Sequence, residues 1–193
     1  MSRTVNGKRP QELRNAIVQY LIEHGLTGLS LRPLAKAVGS SPRGLLYYFG
    51  SKEKMVVEVL AEVRQRQRAS YGEVRGASFA EDCQAIWKNM SGPDSEPLFR
   101  LFFEVYGVAL RHPQLFKDFL RATIDDWLQL IADPLCREGC KHGEARAFAT
   151  MVLAGFRGFM LDYCTTRDRK RLDRAVALWL RTLDPMLPAG KGA

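Results

Sequence analysis

The chain has 193 residues, 46% hydrophobic and 26% charged, which suits a soluble globular protein of one domain or two small ones with a substantial core. Its net charge is +8, and residues 1–75 hold 13 Lys/Arg against 6 Asp/Glu, whereas residues 76–193 hold 16 against 15. That uneven charge suits a polyanion at the first part of the chain, either nucleic acid or an anionic membrane surface, and equally suits a solvated basic surface. The amino terminus (MSRTVNGKRPQELR) lacks the apolar core of a secretory signal. The most apolar stretch, LFFEVYGVAL, is too short to span a bilayer and carries Glu104. Four cysteines, Cys83, Cys136, Cys140 and Cys164, are too few for a disulfide scaffold. The expected location is therefore the cytoplasm, with reduced thiols and no membrane partner.

In chain order, helical periodicity dominates. Leu13, Ile17, Tyr20, Leu21 and His24 share one face of a first helix, which Gly25 closes. Ser30 is placed to cap a second helix, with Leu31, Leu34, Ala35 and Val38 inward, ending at Gly39. Ser41 caps a third, short helix with Pro42 at its first position and Leu45, Leu46 and Phe49 as its packing side chains. Ser51 caps a fourth, with Met55, Val56, Val59, Leu60 and Val63 on its apolar face and a charged continuation, RQRQRASYG, to about Gly72. GEVRGAS and SGPDSEP read as loops, with a helix over Phe79–Met90 between them. An apolar helix follows over Leu98–Arg111. Pro113 starts the next, with Leu115, Phe116, Phe119, Leu120, Ile124, Trp127, Leu128 and Ile131 inward, and Pro134 should kink or end it. Helices over Glu144–Cys164 and Arg169–Leu183 complete the chain. No strand signal interrupts this pattern, so the fold class is all-α with about nine helices.

The stretch from Ser30 to Phe49 reads as a helix-turn-helix. Two short helices meet through a tight turn at Gly39, and Ala35 is small enough to allow a close crossing. The first turn of the second helix, Pro42-Arg43-Gly44, has nothing apolar to bury and must point outward. Gly44 costs about 1 kcal/mol relative to alanine there, but its bare backbone permits close approach to another surface. Arg43 can read a guanine edge through two hydrogen bonds. Tyr47 and Tyr48 carry hydroxyls that can donate to phosphate. Lys52 opposes the dipole of the helix it begins, which implies a partner elsewhere.

On these residues, LSLRPLAKAVGSSPRGLLYYFGSKEKM resembles the DNA-binding region of the TetR family of bacterial transcriptional regulators. The resemblance rests on Ser30, Leu34-Ala35, Gly39, Ser41, Leu45, Tyr48-Phe49 and Ser51-Lys52-Glu53, and covers about residues 10–60. Leu46 stands where many members carry tyrosine, and Arg43-Gly44 where glycine or proline before a small residue is common. The resemblance implies an amino-terminal three-helix DNA-binding domain, residues 1–55, and a helical ligand-binding and dimerisation domain, residues 56–193. It implies that Ser30 and Arg32 contact DNA from the second helix. Pro42, Arg43, Gly44 and Tyr47 would face the major groove, with Ser41 at the helix start, and Tyr48 and Lys52 would hold phosphates.

For the rest of the chain it implies a homodimer whose recognition helices reach major grooves about 34 Å apart. The last two helices would form its interface, with Met151, Gly155 and Phe159 on one and Leu172, Val176 and Trp179 on the other. An ordinary intrachain core explains the same residues. A small-molecule effector would sit among Trp87, Phe99, Phe102, Phe103 and Tyr106, with Phe119, Trp127, Phe156 and Tyr163. Arg100, Arg157 and Asp162 could orient a polar group on it, although aromatic stripes at helical spacing also build cores. Cys136, Cys140 and His142 lack a fourth metal ligand, so no metal or other cofactor is expected. The function expected is a repressor released from a palindromic operator by a ligand. The alternative is a DNA-tethered protein-interaction factor on the same scaffold. No nucleophile–base set or phosphate loop points to an enzyme.

Overall fold

The computed structural model describes residues 10–72, 78–137 and 139–187. Nine α-helices and no strand occur among the described residues: α1 (Pro10–His24), α2 (Leu31–Ala37), α3 (Pro42–Phe49), α4 (Lys52–Gly72), α5 (Phe79–Met90), α6 (Glu96–Arg111), α7 (Pro113–Arg137), α8 (His142–Thr166) and α9 (Arg169–Leu183), followed by a 3₁₀ turn at Asp184–Met186. The amino terminus through Arg9 and positions 73–77 of the expected GEVRGAS loop lie outside the described residues.

The helix starts follow their capping residues. The Ser41, Ser51 and Ser78 hydroxyls accept from the backbone amides of Gly44, Lys54 and Glu81 at 2.9, 3.1 and 3.2 Å. Ser30 occupies the same position before α2, but its hydroxyl makes no capping bond, contrary to the sequence expectation. α7 does not stop at Pro134. The proline removes one i→i−4 bond, and the helix continues a further turn to Arg137.

The chain divides into two compact units. The first takes in the chain up to Gln65 together with Leu101–Phe119. The expected division at residue 55 falls inside α4, which is unbroken. The core of this unit is built from Ile17 and Leu21 of α1, Leu34 and Ala35 of α2, Leu45 and Phe49 of α3, Met55, Val56 and Val59 of α4, and Leu101 and Val105 of α6. Each large aliphatic residue among them contributes about 1.5–3 kcal/mol by leaving water. Leu45 and Phe49 lie four apart on the inner face of α3, whereas Leu46 is turned about 100° away and is 40% exposed. Leu115 and His24, also expected inward, are exposed; His24 stacks on Tyr20 at 4.1 Å instead.

The second unit comprises Arg66–Arg100 and the chain from Leu120 onward. Phe148, Val152, Phe156 and Met160 of α8 and Leu172, Val176, Leu180 and Leu183 of α9 recur three or four residues apart and are buried. Polar groups tie the helix ends. Glu96, almost fully buried, pairs with Arg167 at 2.6 Å and Arg100 at 3.0 Å, and Arg169 donates to the Ser91 carbonyl at 2.8 Å. Burying a carboxylate is costly unless it is paired, and here two guanidinium groups meet it.

Candidate nucleic-acid interface

Gly39 has φ +67, a left-handed conformation that glycine reaches without a Cβ clash. The turn it makes returns the Ser40 amide to the Ala35 carbonyl at 2.8 Å, which stops α2 and starts α3 two residues later. Leu34, Ala35 and Val38 then bury against the inner side, and α3 is left with its opposite side outward.

On that outward side Tyr47 is 90% exposed and Tyr48 51% exposed, and Arg43 is also exposed. An aromatic side chain that bare is unusual unless it meets a partner. Pro42 and Gly44 are half-buried, Ser41 is exposed, and Ser30 and Arg32 are exposed at the start of α2. Residues 26–52 carry Arg32, Lys36, Arg43 and Lys52 and no carboxylate at all. The local field is therefore positive.

Lys52 has a partner inside the protein. Its ammonium donates to the carbonyl of Leu29 at 3.3 Å, which brings a cation to the residue preceding Ser30. Gly44 also has an internal reason to be glycine. A Cβ there would stand 3.1 Å from the hydroxyls of Ser40 and Ser41, crowding the cap that starts the helix.

The turn before α2 is held from a distant helix. The Leu26 amide donates to Glu104 on α6 at 2.6 Å, and a Cβ on Gly25 would lie 2.8 Å from the same carboxylate. A charged acceptor strengthens this bond relative to a neutral one. Seventy-eight residues separate the partners, so no local pattern could have shown it.

The expected effector-binding residues are spread over both units. Phe102 packs against Phe103 at 6.3 Å and Tyr106 at 4.8 Å, and Phe119 lies under Arg64 at 5.8 Å, all in the first unit. In the second, Phe99 is half-buried and Trp127 meets Tyr71 at 5.3 Å. Trp87 touches Phe159 and Tyr163 and donates from its indole nitrogen to Asp173 at 2.7 Å, so it is taken up by the core. Phe156 is likewise buried and meets Trp179 at 5.4 Å. Arg100 is paired with Glu96. Asp162 is paired with Arg171 at 2.6 Å, and that hydrogen bond holds its carboxyl below the usual range. Arg157 is half-buried on α8.

The expected interface residues also divide. Leu172 and Val176 are 1% and 0% exposed within the single chain, so no partner can reach them. Trp179 lies over Gly155, where a Cβ would come 2.3 Å from the indole, and packs on Phe159 at 5.3 Å. Met151 is exposed, and so are Leu161 and Leu178, which sequence reasoning passed over. Met151, Ala154, Gly158 and Leu161 recur three and four apart on the outer side of α8, a second apolar stripe hidden by the helix being apolar all round.

The first unit thus carries a helix-turn-helix whose second helix turns a cationic, aromatic side outward. Residues 13–59 match the family model of bacterial regulatory proteins, tetR family. The match gives this part of the chain the DNA-binding domain of tetR-family regulatory proteins. The fold as a whole is similar to those of known regulators. A transcriptional regulator from Rhodococcus sp. Rha1 is 21% identical with a TM-score of 0.78, covering 92% of this chain and 97% of its own. Salmonella enterica GusR is 18% identical with a TM-score of 0.73, covering 90% and 93%. A TetR transcription regulator from Haloarcula marismortui is 15% identical with a TM-score of 0.71, covering 92% and 96%. No curated protein matches the sequence. No helix among the described residues is long and apolar enough to cross a membrane.

Proposed function

We propose that the protein is a cytoplasmic homodimeric repressor whose two α3 helices enter successive major grooves of a palindromic operator, and that a small molecule releases it. The bare, cationic outer side of α3 supports the DNA contact: Arg43 and Tyr47 would meet base edges, with Pro42 and Gly44 allowing close approach. Ser30, Arg32, Ser41, Tyr48 and Lys52 would hold the backbone. In this reading residues 1–55 form the DNA-binding domain and 56–193 the ligand-binding and dimerisation domain.

The single observation that carries the dimer is the exposed apolar stripe of α8, Met151 to Leu161, with Leu178 on α9. Such a stripe is disfavoured in water unless something covers it. Leu161→Arg would place a charge at that surface in each subunit, at a cost of about 3 kcal/mol, or more than a hundredfold in association. Sedimentation velocity should show wild type at twice the chain mass and Leu161→Arg as a monomer with weakened operator binding. A variant that stays dimeric would move the interface off this stripe. The effector would draw on the half-buried aromatics Phe102, Phe103 and Tyr106 of the first unit.

A further inference from the structure

We propose that Cys136 and Cys140, at the carboxyl end of α7, form a reversible dithiol site that reacts with peroxides, with Cys136 as the attacking sulfur, Cys140 as the resolving sulfur and His142 as the proton acceptor. The site is built by the way α7 ends. Gly139, at φ +96, folds the chain back so that its own amide bonds the Cys136 carbonyl at 3.1 Å and the Cys140 amide bonds the Leu135 carbonyl at 3.0 Å. Cys140 is thereby held against the last turn of the helix, which carries Cys136. A disulfide between them needs a Cα separation of about 4.4–6.8 Å.

The next element supplies the base. His142 is the first residue of α8, and its Nδ1 stands 4.0 Å from the Cys136 sulfur. Arg137 and Lys141 flank the pair in the sequence, with Asp133 and Glu144 beyond them. An open hollow of about 420 Å³, lined by Asp133, Cys136 and Arg137, gives a small oxidant access to the sulfur. Both cysteines are half-exposed.

The other two thiols are silenced. Burial pushes Cys83 up to about 12, and burial with the nearby Glu96 pushes Cys164 up to about 11. Partial desolvation, then Glu144 and Cys136, raise Cys140, away from the thiolate form that the sulfur attacking the peroxide must take.

In the first step the Cys136 proton passes to His142, and the thiolate attacks the peroxide. The S–O bond forms, the O–O bond breaks, and the departing oxygen leaves as water or alcohol after taking the proton back. The sulfur is oxidised by two electrons and the peroxide reduced. In the second step the Cys140 sulfur displaces hydroxide from the sulfenic acid, the S–S bond forms, and water leaves with the thiol proton.

The test treats the purified full chain with an equivalent of hydrogen peroxide and digests it with trypsin without reductant. The expected result is residues 122–137 linked to residues 138–141 within one chain, with Cys83 and Cys164 unmodified. Cys140→Ser should instead accumulate a sulfenic acid on Cys136, trapped by dimedone, and His142→Gln should slow the reaction about tenfold. Oxidation spread evenly over the four cysteines, linkage only between chains, or a His142→Gln rate equal to wild type would overturn the assignment.

Discussion

Replacing Arg43 with alanine is expected to weaken specific operator binding by about 1–3 kcal/mol per half-site and to relax the preference at one base pair. A dimer carries the residue twice, so the loss for the whole operator is about 2–6 kcal/mol. Arg43 lies on the first turn of α3, outward of Leu45 and Phe49, which fix the helix by their burial. The Ser41 cap holds that turn, so the guanidinium is presented from a fixed backbone. Its two-donor edge matches the acceptors of guanine. A phosphate contact would behave differently, lowering binding to every sequence alike and reducing the salt slope. Titration of the variant against the selected operator and a scrambled duplex separates the two. Equal loss on both would place Arg43 on the backbone, and no loss on either would remove α3 from the assigned groove.

Trp87→Ala should be the most destabilising single change in the second unit, costing about 3–5 kcal/mol. Its ring is 1% exposed, lies against Phe159 and Tyr163, and holds Asp173 through the indole nitrogen at 2.7 Å. Truncation empties the largest fully buried side chain among the described residues and leaves Asp173 with Arg169 at 3.7 Å as its remaining ion-pair partner among those described. For a chain of this size the melting temperature should fall by about 6–20 °C. Trp87→Phe keeps most of the ring contact and should cost about 1–3 kcal/mol, mainly for the lost hydrogen bond. Thermal unfolding followed by circular dichroism reads both. A Trp87→Ala melt within a degree of wild type would mean that the ring does not support this core.

Much of the fold was legible because its helix boundaries are chemical. Ser41-Pro42, Ser51, Ser78 and Pro113 mark starts that depend on the neighbouring few residues, and the observed helices begin there. Periodicity also identified the inner residues of α2 and α4. It says which side chains share a face, however, not what that face meets. Leu46 was grouped with Leu45 because both are leucines, although a helix places them about 100° apart. Leu172 and Val176 were assigned to a partner, yet the chain buries them itself, and the exposed α9 leucine is Leu178.

The recognition helix was readable for the same local reasons, together with its family resemblance. Its supports were not. Lys52 was expected to have a partner, but that partner is a backbone carbonyl, at Leu29, which has no sequence signature. Glu104 looked like a stray charge in an apolar helix. It is the acceptor that fixes the turn leading into α2. The aromatic residues of α5 to α8 likewise gave composition without location, and packing assigned Trp87 and Phe156 to the interior.

The central claim is sequence-specific DNA binding by a dimer, and selection of bound duplexes from a random library at moderate salt tests it most directly. The account predicts enrichment of a palindrome whose half-sites are about one helical turn apart, with a guanine position that Arg43→Ala no longer selects. Retention of all sequences alike, falling steeply with salt, would contradict it and leave only general attraction to a polyanion.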